Sequence, residues 1–165
     1  MWDNILATLA GGVLGAGGAI ASQWLAHYLN DGRTRRAIAG AFAGEIGAVC
    51  SIIRYRKYLE HAKQALEYVR QSQQPFRLKM IVKQEYFSIY HSNSSAIGLL
   101  PARLAMDIAK FYTQAKALLE DVHPDAPEPQ DAPTAESQLT NQIELLEQTL
   151  RVGDATMHDL EKVAQ

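Results

Sequence analysis

Residues 139–164 read LTNQIELLEQTLRVGDATMHDLEKVA, and the spacing of their apolar positions decides the fold class. Leu139, Ile143, Leu146, Leu150, Gly153, Met157, Leu160 and Ala164 follow one another at alternating steps of four and three. These are heptad a and d positions, with Gly153 as the one defect. The pattern predicts a C-terminal helix over Ser137–Ala164. A helix of that length is marginal in water by itself, so the stripe needs an apolar partner. Two partners are open: the chain's own bundle, or the same helix of another copy in a coiled coil.

Upstream, His123 to Pro133 holds Pro124, Pro127, Pro129 and Pro133 among acidic residues. That composition predicts an extended, solvated linker that does not pack. Before it, Leu104, Ile108, Phe111, Ala115, Leu118 and Val122 form one stripe, and Pro101 suits a first helical turn. Pro101–Asp121 is therefore a helix. Gln84–Ser94 reads as a shorter one with Tyr86, Phe87 and Tyr90 on an aromatic face. From Arg33 to Ser72 there is no proline. Ile38, Phe42, Ile46, Val49 and Ile53, then Leu59, Ala62, Leu66 and Val69 after a small phase shift, predict one long amphipathic helix. Gly40 and Gly44 within it suggest a close helix contact, because glycine costs about 1 kcal/mol in a helix interior.

At the N-terminus no Asp, Glu, Lys or Arg occurs between Asn4 and Asn30. The apolar run Ile5–Ala26 would form a helix about 33 Å long, against a hydrocarbon core of roughly 30 Å. This predicts a single transmembrane helix. Met1-Trp2-Asp3-Asn4 lacks the basic region of a cleaved signal peptide. Arg33, Arg35 and Arg36 follow the run, and basic flanks stay inside, which places the N-terminus outside and the rest in the cytoplasm. Gly32 is expected to interrupt the chain between anchor and bundle. Ala7, Gly11, Gly15 and Ala19 recur every four residues, a small-residue seam suited to helix association in lipid. The fold class is thus all-α: an anchor (1–32), a helical bundle (33–122), an acidic Pro-rich linker (123–136) and a heptad-patterned helix (137–165).

Charge is polarised although the net is only −2. Gly32–Ser92 holds eleven Lys/Arg against four Asp/Glu, and Asn93–Gln165 holds five against twelve. Opposed blocks can pair as the helices pack, and the basic one can also face anionic headgroups. Its basic residues are interrupted by apolar ones at helical spacing, which argues against a nucleic-acid surface. Cys50 is the only cysteine, which excludes an intrachain disulfide and suits a reducing compartment.

Catalytic and cofactor motifs are absent: no Walker loop, GxSxG, HExxH or paired Cys. The five histidines are scattered, so no metal or cofactor is expected. Arg56 and His61 match the loose R-x(4–6)-H spacing of HEPN ribonucleases. That resemblance implies a nuclease whose Arg and His act on an RNA phosphate across paired protomers. Against it, Lys57 stands where a small polar residue is usual, and the pair falls within the long helix.

Arg35-Arg36-Ala37-Ile38-Ala39-Gly40, Tyr86-Phe87-Ser88-Ile89-Tyr90, Ile97-Gly98-Leu99-Leu100-Pro101, and Phe111-Tyr112 with Lys116 and Glu120-Asp121 carry a broader resemblance. Over Arg33–Val122 the chain resembles a group of small uncharacterised bacterial single-pass inner-membrane proteins with a Gly-Leu-Leu-Pro hinge. It implies a shared helical domain and an inner-membrane home, and no activity. The expectation is a self-associating interaction or scaffold protein at the membrane, open to a protein partner. The alternative is a membrane-anchored effector, either HEPN-like or pore-forming.

Overall fold

The computed structural model describes residues 31–79 and 84–165. Among these the chain is helical, with no strand. Helix α1 spans Asp31–Tyr55, α2 Tyr58–Ser72, α3 Ser88–Asn93, α4 Ala102–Asp121 and α5 Ala132–Ala164. Short 3₁₀ turns at Gln84–Phe87 and Ser94–Leu99 flank α3. The predicted anchor Ile5–Ala26 and its seam Ala7, Gly11, Gly15 and Ala19 lie outside the described residues. Gly32 does not interrupt the chain; it lies in the first turn of α1.

The single long helix expected over 33–72 is broken in two. Lys57 adopts a left-handed backbone, φ 52°, and its N–H reaches back only to the Arg54 carbonyl. The phase shift in the apolar pattern is the cause. Buried positions run Ile46, Cys50, Ile53, then resume at Ala62, Ala65 and Val69. No continuous helix presents both sets to one neighbour, and the turn at Arg56–Lys57 brings them back into line.

That neighbour is α5. Gly40 lies against Ala164, Gly47 against Met157 and Cys50 against Gly153. The order continues through ion pairs Lys63–Glu147 at 2.9 Å and Arg70–Glu136 at 2.7 Å. As numbers rise through α1 and α2 they fall in α5, so α5 runs antiparallel to both. On its other side α4 is also antiparallel, with Phe111 at Gly153 and Gln114 donating to Gln148. The heptad stripe therefore docks within its own chain. Leu139, Leu146, Gly153 and Leu160 are buried, and Ile143, Leu150 and Met157 are half-buried. A second row, Ala135, Gln142, Thr149 and Thr156, is buried too. Three rows make the wide face of a core helix flanked on two sides, not the narrow seam of a coiled coil.

Helix α5 begins at Ala132, earlier than the expected Ser137. The Asp131 carboxylate accepts the Thr134 N–H at 2.8 Å, and Pro133 sits in the first turn, where its missing N–H is not needed. The linker is correspondingly shorter, and it packs. Arg77 is 8% exposed, and its guanidinium donates to the carbonyls of Asp121, His123 and Ala126. Lys79 pairs with Glu128 and holds that carboxyl below its ordinary range. The carbonyls at the end of α4 thus take their donors from a side chain far away in sequence.

Gly153 is the narrowest point. A Cβ there would lie 2.5 Å from Cys50 Sγ and 2.8 Å from the Phe111 ring. Both neighbours are buried and cannot move outward. Overpacking costs about 1–3 kcal/mol and the helix-propensity gain returns about 1 kcal/mol. Gly153→Ala should therefore lower stability by a net of up to about 2 kcal/mol in urea denaturation. Adding Cys50→Ala should recover part of that loss.

Candidate interaction surface

Helix α1 has two faces with different work. The inward face, Ile38, Ala39, Phe42, Ala43, Ile46 and Cys50, belongs to the core. Burial there pushes the Cys50 thiol up to about 11, which makes it a packing residue and not a nucleophile. By length and composition α1 is apolar enough to cross a membrane, yet 44% of its most apolar window is already buried within the chain.

Glu45 is the only charged residue between Arg36 and Arg54, and it is 8% exposed. Its carboxylate accepts the N–H groups of Ile89 at 2.7 Å and Tyr90 at 3.0 Å, at the start of α3. The Tyr112 hydroxyl donates to it at 2.5 Å. Tyr112 is stacked on Tyr90, with ring centroids 4.1 Å apart, and meets Phe87 edge-on. Burial, then the carboxylate, pushes the Tyr112 hydroxyl far above its ordinary range. One carboxylate thereby caps a short helix and anchors an aromatic cluster.

The outward face is small and open. Ala37, Gly40, Gly44, Ala48 and Ser51 are exposed, and Tyr55 ends the row at 89% exposure. Between this face and the end of α5 lies an open groove of about 550 Å³, floored by Gly40, Ala43, Gly44 and Gly47, with Met157 and Glu161 on its wall. Internal packing accounts for some of the glycines and not for others. A Cβ on Gly47 would sit 2.9 Å from Met157 Sδ, while one on Gly44 would meet nothing within 4 Å among the described residues. Among the same residues Gly40 meets only the Ala164 methyl, at 3.9 Å.

Of the other predicted residues, Arg56 and His61 are both exposed. Arg56 donates to the Tyr58 hydroxyl at 3.0 Å, and no hydrogen bond or ion pair joins it to His61. Among the described residues no group of three or more His, Cys, Asp or Glu could hold a metal. Sequence reasoning missed Glu45, whose signal was a lone acid in the otherwise uncharged stretch Ala37–Ile53. It missed Gln142 as well, since a glutamine one step off an apolar stripe reads as surface. The chain matches no protein-family model, no curated protein and no solved structure.

Removing the Glu45 carboxylate leaves two backbone donors and one hydroxyl without their acceptor. Glu45→Ala should cost about 3 kcal/mol, and Glu45→Gln about half as much, because the amide keeps one acceptor. Hydrogen exchange at Ile89 and Tyr90 should accelerate in both variants, and unchanged protection there would remove Glu45 from its capping role.

Proposed function

We propose that this protein is a membrane-anchored helical scaffold that self-associates through the outward face of α1. The observation that carries the reading is Gly44. Glycine in a helix interior costs about 1 kcal/mol, and this one is exposed with open space where a side chain would go. A stability cost that none of the described residues makes use of is explained by a partner that needs close backbone approach. Gly40, Ala37 and Ala48 extend the same small surface. A second copy of α1 supplies a complementary small face, as in a two-fold, self-complementary interface.

Residues 5–26 serve as the anchor in this reading. Their length matches the bilayer, and the small-residue seam at Ala7, Gly11, Gly15 and Ala19 provides a second contact within it. Arg33, Arg35 and Arg36 keep the helical domain on the cytoplasmic side of a bacterial inner membrane. The resemblance over 33–122 points the same way. A HEPN-like nuclease has less behind it, because the Arg56 guanidinium is engaged by Tyr58 and sits at the break between α1 and α2.

Deleting residues 1–30 should move the protein from the membrane fraction to the supernatant. Gly44→Leu should weaken association in detergent by tenfold or more in sedimentation, while the melting temperature holds or rises. Unchanged association would exclude this face as the contact.

A further inference from the structure

Helices α1 and α4 both run antiparallel to α5, so both begin at the end of the bundle where α5 finishes. The turn that leads into α4, residues 94–101, lies at that end as well. Its Leu100 is buried with Ile38, Leu104 and Leu160 in one apolar cluster. Residues 86–102 hold no Asp, Glu, Lys or Arg, the longest such stretch among the described residues. Gly98, Leu99 and Pro101 are nevertheless exposed, Leu99 by 40%.

A single exposed leucine is ordinary on a protein surface. What separates Leu99 is its setting. Arg33, Arg35 and Arg36 are exposed in the first turns of α1, and no ion pair engages them among the described residues. Arg103, in the first turn of α4, has a side chain 92% exposed and only a loose contact with Asp107, at 4.0 Å. Asp159 faces the same end, and Lys162, with a smaller effect from Arg103, holds its carboxyl below the ordinary range. Cations flanking a charge-free turn that exposes an apolar side chain match the two layers of a bilayer surface, phosphates above and the acyl-chain boundary beneath. A nucleic acid would use the cations and leave Leu99 in water.

We infer that this end of the domain is a docking surface for anionic phospholipid, with Leu99 entering the acyl-chain boundary and Arg33, Arg35, Arg36 and Arg103 taking headgroup phosphates. The surface presupposes the membrane-anchored reading and gives it a second point of contact. An anchor joined to α1 holds the domain near the bilayer without choosing its tilt. A contact at Leu99, on the turn before α4, chooses it.

The test uses the full-length chain in lipid nanodiscs, one set of phosphatidylcholine and one with phosphatidylglycerol added. Gly98→Cys carries an environment-sensitive fluorophore, at a position where a Cβ would meet nothing within 4 Å among the described residues. Cys50 is buried with its thiol pushed up to about 11, so it stays unlabelled. In anionic discs the emission should shift to the blue and be quenched by lipids spin-labelled near the headgroup, and in phosphatidylcholine discs both signals should fall. Arg103→Gln should lower the docked-to-undocked ratio about fivefold, equivalent to about 1 kcal/mol, while Arg103→Lys keeps it. Leu99→Ser should remove the quenching in anionic discs with helical content unchanged. A fluorophore that stays in water in anionic discs, equal quenching in the two discs, or quenching indifferent to Arg103→Gln or to Leu99→Ser would each overturn the docking surface and leave the anchor standing. Co-elution of chain and disc reads the anchor separately: a chain that elutes apart from both discs would overturn the anchor, and this contact with it.

Discussion

Three helices meet at a residue with no side chain. At Gly153 the Cys50 thiol from α1 and the Phe111 ring from α4 fill the space a Cβ would occupy. The contact sets the separation of both flanking helices from α5 at a single level. Above and below it the spacing is taken up by larger groups, with Met157 against Gly47 on one side and Leu146 beside Ile53 and Leu118 on the other. The break at Arg56–Lys57 follows from this geometry. Helix α5 is one continuous element of 33 residues, whereas the chain facing it carries two apolar sets out of phase. Only one of the pair can bend, and the shift lies in the facing chain.

Much of this was legible. The apolar stripes of α4 and α5 placed Leu104, Ile108, Phe111, Leu139, Leu146 and Leu160 in the core, where they are. What sequence spacing could not rank was the width of the α5 stripe. Gln142, Thr149 and Thr156 are polar, so counting apolar residues alone made the helix look like a two-row seam. Thr149 is tolerated inside because its hydroxyl donates to the Leu145 carbonyl one turn back. The linker was misread for a related reason. Prolines and acids describe a segment that cannot form a helix, not one that stays in water, and Arg77 binds it through backbone carbonyls that no side-chain pattern reveals.

The surface reading stood on weaker signals. Gly40, Gly44, Gly47 and Gly153 look alike in sequence, and only geometry divides those that internal packing requires from those it does not. Glu45 also depends on folding for its meaning. In an extended apolar helix it would be a charge in the wrong place, and here it caps α3 and receives Tyr112. A helix that commits the one acid of its apolar stretch to the bundle in this way is bound to the domain, although its composition alone would suit a bilayer.

The polarised charge has a similar resolution. Basic residues of α1 and α2 meet acidic ones of α5 in a ladder, Arg54–Asp154, Lys63–Glu147 and Arg70–Glu136. Each pair is about half exposed, so each contributes little to stability, and their value is in fixing register and direction. The ladder also has an end. Helix α5 stops at Ala164, level with Gly40, and the first turns of α1 extend past it. Arg33, Arg35 and Arg36 are exposed there and have no ion-pair partner among the described residues. Neutralisation in cis thus covers the far part of the domain and leaves its N-terminal edge positive. In the membrane-anchored reading proposed above, this positive edge adjoining an uncharged run of chain would meet anionic headgroups, each nearby Arg contributing about 1 kcal/mol.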